Sequence, residues 1–260
     1  MSDKTALITG GSVGIGFELA KQFAAHGHNL VLVARNTDQL EAAAGKIEGK
    51  YGVSVRTISM DLADADAPQL LFDNLSAEGV EIHYLVNNAG FGLGGEFADT
   101  NLERELDMIQ VNVASVVHLT KLFLPAMLKR KEGRIMNVAS TAAFQPGPLH
   151  SIYYASKAFV LSFSEAIHEE LRKTGVTVTA LCPGPTRTGF FERAGTMKTR
   201  LFTRTAVASA EDVARFGYAA MMRGQSLAIP GIANKLMVQA ERLVPRRLVT
   251  KIARLAQENG

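Results

Sequence analysis

Cysteine and tryptophan are almost missing from this chain of 260 residues, which has one cysteine and no tryptophan. A single cysteine cannot form an internal disulfide, so a fold held together by disulfides is excluded. Cys182 lies in the apolar run 176–182, which predicts a buried small hydrophobic residue rather than a nucleophile. A reducing, cytoplasmic compartment is the simplest expectation for such a chain.

Long apolar runs and blocks of like charge are missing too. No window of about 18 uninterrupted apolar residues indicates a membrane span, and the chain enters an apolar run at residue 5 without the leader of a signal peptide. The net charge is only +3 and no cluster of Lys and Arg resembles a nucleic-acid tail. We therefore expect a small-molecule substrate, no nucleic-acid partner and no transmembrane segment.

The sequence does contain a regular alternation of short apolar runs with helical patterns. Seven runs have the length of strands: 5–9, 29–34, 53–58, 82–87, 133–138, 176–181 and 226–229. The segments between them, such as 14–26 and 38–51, place apolar residues at helical spacing, which favours a parallel sheet covered on both faces. We predict a single α/β domain over 1–260, doubly wound and Rossmann-type, with a seven-stranded parallel sheet in three α/β/α layers.

A glycine-rich turn follows the first of these runs. Gly10, Gly14 and Gly16 have the spacing G-x-x-x-G-x-G, and a helical pattern comes next. Glycine lets the backbone approach a pyrophosphate closely, while the N-terminus of the helix offers free N–H groups. An ordinary strand-to-helix turn also uses glycine, but its place after the first strand favours dinucleotide binding.

The end of the second run distinguishes between the two nicotinamide dinucleotides. An acidic residue there would hydrogen-bond the ribose hydroxyls of NAD. In this chain Arg35 follows the strand, and no acid occurs before Asp38. A pair between Arg35 and the 2′-phosphate of NADP is worth roughly 10- to 100-fold in affinity. The pattern therefore predicts that NADP(H) is preferred over NAD(H), although an arginine at a strand end can also simply face solvent.

Tyr153 and Lys157 are spaced i and i+4, and Ser140 lies thirteen positions before the tyrosine. Residues at this spacing share one face of a helix. A cation beside a phenol lowers its pKa from about 10, which makes the pair a candidate acid/base device. Such pairs are also common on solvated helix faces. Tyr154 is a rival base, but it is only three residues from Lys157.

The whole set of motifs resembles the short-chain dehydrogenase/reductase family over residues 4 to about 190. The set comprises the glycine loop, Asn87-Asn88-Ala89-Gly90, Asn112, Ser140, Tyr153-x-x-x-Lys157 and Pro183-Gly184. The resemblance implies reversible hydride transfer between a nicotinamide and a carbonyl or alcohol carbon, with no metal. The catalytic residues that it implies are Asn112, Ser140, Tyr153 and Lys157. The cofactor-binding residues that it implies are Gly10, Ser12, Gly14, Ile15, Gly16, Arg35, Asp61, Asn88, Ala89, Gly90, Tyr153, Lys157, Pro183, Gly184, Thr186 and Thr188.

The resemblance also implies the role of each catalytic residue. Ser140 would hold the substrate oxygen and Tyr153 would exchange its proton. Lys157 would lower the pKa of the tyrosine and bind the ribose hydroxyls, and Asn112 would hold a water beside the lysine. A neutral exposed asparagine is the alternative for Asn112, and a helix cap is the alternative for Asp61. A non-catalytic NADP-binding sensor or scaffold on the same fold is the alternative function.

Two segments of the chain bear on the substrate. Residues 185–204 break the alternation at the carboxyl end of a strand, which favours a substrate lid over a packed helical excursion. The loop 144–150 and the pair Phe190-Phe191 are candidates for an apolar pocket or for local packing. We expect a lipophilic ketone, aldehyde or 3-oxoacyl substrate.

The segment 232–258 forms a C-terminal helical extension in which apolar and basic residues alternate, with Pro245 at the start of a second helix. A basic amphipathic segment can lie on an anionic membrane. Packing on its own domain or on a partner subunit is the commoner arrangement, and it is the one we favour from the sequence. We expect a homodimer or homotetramer.

Overall fold

A computed structural model of the chain describes residues 4–188 and 207–258. The strands are β1 Thr5–Thr9, β2 Asn29–Ala34, β3 Val55–Ser59, β4 Ile82–Asn87, β5 Gly133–Val138, β6 Val176–Leu181, β7 Thr186–Arg187, β8 Ala208–Ser209 and β9 Leu227–Ala228. The α-helices are α1 Gly14–Ala25, α2 Thr37–Tyr51, α3 Ala67–Ala77, α4 Leu102–Ile109, α5 Ser115–Arg130, α6 Ser151–Glu170, α7 Ala210–Met222, α8 Ile232–Glu241 and α9 Arg246–Gln257.

Seven of the strands form one parallel sheet in the order β3-β2-β1-β4-β5-β6-β9. The predicted Rossmann-type sheet is therefore confirmed, and each of the seven predicted runs contributes a strand. The strand order reverses between β1 and β4, which are neighbours in the sheet. At such a switch point the connections leave in opposite directions, so a crevice opens beyond the carboxyl ends of the strands.

The two faces of the sheet are covered by different helices, as the alternation of side chains along a strand requires. In β1, Ala6 and Ile8 belong to the apolar cluster on one face, and Leu7 belongs to the cluster on the other. The first cluster is completed by residues of α1, α2 and α7, and the second by residues of α3, α5 and α6. These two packed layers hold the carboxyl edge of the sheet in place.

The helical pattern that begins at Leu102 contains an irregular turn. Between α4 and α5 the chain makes a π-helical turn over Gln110–Ala114. The combined helix, Leu102–Arg130, is the one described helix that is long and apolar enough to cross a bilayer, with 29 residues and a window of mean hydropathy 1.5. Its Leu119 and Phe123 are buried in the core, which accounts for this apolar composition.

The residues predicted as a substrate lid, 185–204, lie mostly outside the described residues, as do Phe190 and Phe191. The described residues on either side form a small parallel sheet of β7 and β8, which the sequence did not predict. The Ala208 amide also donates to the Pro185 carbonyl at 3.0 Å. The described residues 185–187 and 208–209 therefore lie side by side, after the carboxyl end of β6.

Candidate active site

A cavity of about 570 Å³ opens at the carboxyl edge of the sheet, beyond β1, β4, β5 and β6. It is lined by all the predicted site residues except Gly16 and Asn112, which lie behind its wall. The parallel topology explains this convergence, because every parallel strand ends at the same edge. The site is therefore assembled from segments that are far apart in the sequence.

The glycine loop lies between β1 and α1. Gly10 and Gly14 have φ of +65° and +59°, a conformation that L residues with a side chain rarely adopt. A Cβ on Gly16 would lie 2.2 Å from the Gly10 carbonyl oxygen, so Gly16 permits the close packing of the loop itself. The residue before α1, Val13, gives no side-chain cap, and the first turn of this helix has no acidic residue. Its N–H groups and dipole thus face the cavity in the way that a pyrophosphate requires.

Two adjacent asparagines at the end of β4 hold the floor of the cavity together. The Asn88 side chain donates to the carbonyls of Thr9 and Gly10, at 2.9 and 3.1 Å, and ties the glycine loop to the neighbouring strand. The Asn87 side chain donates to the Asn137 side chain on β5 at 2.8 Å. Three strands are thereby linked at the switch point through side-chain hydrogen bonds.

The adenosine end of the cavity contains Arg35 and Asp61. The guanidinium of Arg35 lies 3.5 Å from the Asp61 carboxylate, and about half of each side chain is exposed. Asp61 also accepts a hydrogen bond from the Ala63 amide at 3.0 Å. It therefore caps the local turn, as one alternative predicted, and it also lines the cavity. Since this exposed pair is long, it holds Arg35 only weakly, and the cation can reorient toward a phosphate.

The segment after β6 closes the opposite side. The Pro183 carbonyl accepts a hydrogen bond from the Thr141 amide at 2.9 Å, and Thr186 donates to the Gly184 carbonyl at 2.9 Å. A Cβ on Gly14 would lie 3.2 Å from the Thr188 methyl group, which places Thr188 against the glycine loop. The predicted residues 183–188 therefore extend from the segment of Ser140 and Thr141 to the glycine loop.

Tyr153, Lys157 and Ser140 meet at the centre of the cavity. The Lys157 ammonium lies 5.8 Å from the centroid of the Tyr153 ring and donates to the Val138 carbonyl at 2.8 Å. The Ser140 side chain hydrogen-bonds the Tyr153 hydroxyl and lies 3.5 Å from the Pro183 carbonyl. The helix α6 places the phenol and the ammonium on one face, as their spacing predicted.

Burial dominates the acid/base properties of this group. It raises the pKa of the Tyr153 phenol, and the hydrogen bond from Ser140 offsets this only in part. Burial also lowers the pKa of Lys157 to about 8. In the protein by itself, the pKa of the tyrosine thus moves in the opposite direction to the one expected from a lysine neighbour. The reason is that the free energy lost when the phenolate leaves water exceeds the stabilisation that the neighbouring groups give to the phenolate. Tyr153 therefore carries its proton at neutral pH.

Asn112 is buried in the π-helical turn, which excludes the exposed alternative. Its side chain exchanges two hydrogen bonds with the Phe91 backbone, at 3.0 and 3.1 Å, and donates to the Ser156 hydroxyl at 3.1 Å. A Cβ on Gly90 would lie 2.9 Å from the Asn112 amide oxygen and 3.4 Å from the Lys157 ammonium. Glycine at this position allows the asparagine and the lysine to approach the same point. Local π-helical turns are frequent at functional sites.

Three cavity residues of the C-terminal helices were missed by sequence reasoning: Asn234, Met237 and Gln257. Gln145 and His150 belong to the loop 144–150 that the sequence offered as a pocket wall, and Tyr154 is the rival base. His150 is buried, its two ring nitrogens have no hydrogen-bond partner among the described residues, and burial lowers its pKa. The Gln257 amide donates to the Tyr154 hydroxyl. The position of His150 just before Tyr153 was an available signal, whereas nothing in the sequence connects residue 257 with residue 154.

The loop 144–150, expected as a candidate apolar wall, presents polar side chains to this cavity. Gln145 and His150 line it, whereas Phe144 and Pro146 line a separate, smaller cavity against the C-terminal helices. Leu149 of this loop has φ of +66°, a left-handed conformation that costs a residue with a side chain of order 1 kcal/mol or more.

Cys182 is fully buried, and burial raises the pKa of its thiol to about 12, as expected for a residue that acts as a small hydrophobe.

Residues 4–199 match the family described as short chain dehydrogenase, about three quarters of the chain. The chain belongs to the short-chain dehydrogenase/reductase family. The resemblance found in the sequence is confirmed.

Curated relatives include the very-long-chain 3-oxoacyl-CoA reductases of Anas platyrhynchos and Homo sapiens. They are 38% and 39% identical to this dehydrogenase/reductase over 184 residues, which cover 68% of this chain and 58% of each relative. The chain thus spans less than two thirds of the length of these relatives.

Solved structures with the same fold include enzymes with either cofactor. A short-chain dehydrogenase from Sphingobium yanoikuyae in complex with NADPH is 32% identical, with a TM-score of 0.83 and coverage of 92% of this chain and 94% of that one. A short-chain dehydrogenase/reductase from Burkholderia phymatum in complex with NAD is 26% identical, with a TM-score of 0.83 and coverage of 99% and 98%. A bulky-bulky ketone specific alcohol dehydrogenase from Comamonas testosteroni is 28% identical, with a TM-score of 0.79 and 94% of both chains covered.

The buried charge of Lys157 makes a pH-dependent contribution to the stability of this short-chain dehydrogenase/reductase. Because its pKa falls from 10.5 to about 8 on folding, the unfolded chain binds more protons between these values, and stability rises with pH in that window. Lys157→Met removes this term. We expect the stability of the variant relative to wild type to decrease by roughly 3 kcal/mol from pH 8 to 10.5, measured by urea unfolding.

The same substitution at Lys129, an exposed position on α5, is the matched control. The lost hydrogen bond to the Val138 carbonyl lowers the stability of Lys157→Met by an amount that does not depend on pH. A stability difference between wild type and Lys157→Met that stays constant from neutral pH to 10.5 would show that the lysine is not desolvated as described.

Proposed function

We propose that this enzyme is an NADP(H)-dependent reductase that converts the ketone of a lipophilic 3-oxoacyl thioester to an alcohol. The observation that carries the proposal is the hydrogen-bonded pair of Ser140 and Tyr153, with the buried Lys157 beside it, at the switch point of the sheet. This is a site for moving one proton next to a nicotinamide. The residues around it fit a dinucleotide, because the glycine loop, the uncapped α1 N-terminus and Arg35 line one continuous cavity.

The proposed mechanism assigns one task to each side chain. Ser140 and Tyr153 hydrogen-bond the substrate carbonyl oxygen, which fixes the ketone and polarises it. NADPH, when bound, supplies the hydride. Tyr153 gives its proton to the oxygen, and its protonated state at neutral pH supports the direction of reduction. Lys157 stabilises the phenolate that remains, and Asn112 holds the Phe91 backbone and the start of α6 in place behind it.

The substrate class rests on the relatives and on the far end of the cavity. The similar curated proteins are named as very-long-chain 3-oxoacyl-CoA reductases. Beyond Tyr153 the cavity wall carries Gln145, His150 and Gln257, which are polar, and Met237, which is apolar. Since burial lowers the pKa of His150, these groups suit an uncharged thioester carbonyl better than a carboxylate. A free bulky ketone is the second candidate, supported by the likeness to the Comamonas testosteroni enzyme.

Turnover is tested with a matched pair of tyrosine variants, assayed by the oxidation of NADPH with long-chain 3-oxoacyl thioesters and bulky ketones. Tyr153→Phe removes the proton donor, and we expect it to lower kcat by at least about 100-fold while NADPH still binds. Tyr154→Phe, one residue along, loses only the hydrogen bond with Gln257 and is expected to keep most of its activity.

Two outcomes would contradict this assignment. Comparable activity of Tyr153→Phe and wild type would remove the tyrosine from the mechanism. Wild-type protein that binds NADPH and turns over none of these carbonyl compounds would favour the sensor or scaffold function. In that case the buried charge of Lys157 and the serine–tyrosine hydrogen bond would have no chemical purpose.

The preference for NADP(H) is tested at Arg35. We expect Arg35→Ala to weaken NADPH binding about 10- to 100-fold and to change NADH binding little, because one charge-assisted contact to the 2′-phosphate is lost. Fluorescence titration with both cofactors measures this. Arg172→Ala, on an exposed helix end away from the cavity, is the control. Equal affinities of the wild type for NADPH and NADH would overturn the preference.

The expected homodimer or homotetramer remains a prediction. Exposed apolar residues at Leu102, Leu106 and Ile109 form a stripe on α4, and Phe159 on α6 is also exposed. These residues support a contact with another protein surface. Light scattering should give two or four times the mass of the 28.0 kDa chain, and a single chain mass would contradict the prediction.

A further inference from the structure

The C-terminal helices α8 and α9 pack on the domain through a narrow face and leave large apolar side chains exposed. On α8 only Val238 is buried. Ile232 and Leu236 lie one turn apart on this helix and are 78% and 65% exposed. Leu243, in the turn that follows the helix, is 88% exposed. Large apolar side chains this exposed and this close together in the chain mark an interaction surface.

The helix α9 has the same division between an inner and an outer apolar face. Val249 and Ala253 point inward and are buried. Leu248, Ile252 and Leu255 lie at i, i+4 and i+7 and are 49%, 54% and 55% exposed. We call the exposed apolar residues of the two helices and of the turn between them, Ile232, Leu236, Leu243, Leu248, Ile252 and Leu255, the C-terminal stripe.

The charges beside the C-terminal stripe are almost all of one sign. Residues 232–258 hold six basic and two acidic residues, a net charge of +4, whereas the whole chain has +3. Arg254 pairs with Glu96 and Glu258. Four other cations have no acidic partner in the part of the chain that the structure describes: Arg242, Arg246, Arg247 and Lys251. The positive charge of the protein is thus concentrated on this one surface.

This surface borders the active-site cavity. Asn234 and Met237 of α8 and Gln257 of α9 line the cavity from within. The Gln257 amide donates to the Tyr154 hydroxyl, and the Arg254–Glu96 ion pair, at 2.7 Å, connects α9 with the loop that follows β4. One wall of the cavity and the stripe are therefore two sides of the same pair of helices.

We propose that α8 and α9 form a docking face for an anionic lipid bilayer, with the C-terminal stripe inserted among the acyl chains. Apolar side chains flanked by unpaired Lys and Arg are the composition that lies in the interface of a charged membrane. Each basic residue close to an anionic leaflet strengthens binding about fivefold. A lipophilic substrate would then reach the cavity from the bilayer on which the enzyme rests.

A second copy of this chain fits the same face poorly. A two-fold contact places a surface against itself, so the unpaired cations of one chain would meet those of the other. The main acidic group available there is Glu241, which is half-buried and has a raised pKa because of that burial. Like charges that meet in an interface oppose association. An anionic surface satisfies both the apolar and the basic residues.

The helix α4 supplies a control with the same geometry and the opposite charge. Its exposed residues Leu102, Leu106 and Ile109 have the same i, i+4, i+7 spacing as the α9 residues of the stripe. The exposed charges beside them are Glu103, Asp107 and a single cation, Arg104, which pairs with Asp107. An apolar stripe in acidic surroundings is not expected to bind an anionic bilayer.

The test is co-sedimentation of the full chain with vesicles of phosphatidylcholine alone and of phosphatidylcholine mixed with phosphatidylglycerol. We expect binding to the mixed vesicles, a loss in about 0.5 M salt because of screening, and little binding to the neutral ones. The variant L248Q/I252Q/L255Q should bind at least about tenfold more weakly. The variant L102Q/L106Q/I109Q should bind as wild type does.

Thermal melting and light scattering of every variant show whether a substitution acts through folding or through subunit contacts. Wild-type protein that does not sediment with mixed vesicles at low salt overturns the proposal. So does undiminished binding of the α9 variant. A loss of oligomer mass in the α9 variant at an unchanged melting temperature, with no vesicle binding by wild type, would assign the stripe to a protein contact. None of these measurements depends on the enzyme's substrate or activity.

Discussion

The structure of the active site depends on one buried polar contact, the hydrogen bond from the Lys157 ammonium to the Val138 carbonyl at 2.8 Å. Removing an ammonium from water is costly, and burial lowers the pKa of this lysine to about 8. The ammonium lies at the carboxyl end of β5, where the carbonyl of the last strand residue needs a hydrogen-bond donor. The contact links the helix that carries Tyr153 to the strand that leads to Ser140. The relative position of these two side chains therefore depends on a group that is itself destabilising.

A second level of support lies behind the lysine. Asn112 uses its whole amide group on the Phe91 backbone and on Ser156, and Ser156 donates to the Tyr153 carbonyl at 2.7 Å. The π-helical turn places this asparagine inside a helix where an amide side chain would otherwise face away or compete for backbone hydrogen bonds. Gly90 leaves the space in which the asparagine and lysine approach each other. The π-helical turn thus points the Asn112 amide toward the Phe91 backbone and Ser156.

The C-terminal helices connect the catalytic cavity to the outer surface. Gln257 reaches the hydroxyl of Tyr154, the neighbour of Tyr153, while apolar side chains on the same helix face outward. A helix with few buried residues and a solvent-exposed ion pair to Glu96 is held by a small number of weak contacts. Such an element can respond to what lies on its outer face more easily than the sheet can.

The sequence by itself determined the sheet and the chemistry near it. The order of apolar runs required seven parallel strands, and the spacing of Tyr153 and Lys157 placed both on one helical face. These features are local, so neighbouring residues in the chain define them. The sequence did not determine that burial raises the pKa of Tyr153, since desolvation depends on all the atoms that surround the phenol. It did not connect Gln257 with Tyr154 or reveal the exposed stripe on α8 and α9. Only the tertiary structure decided these points, because contacts between distant segments and the exposure of a helix face follow from packing.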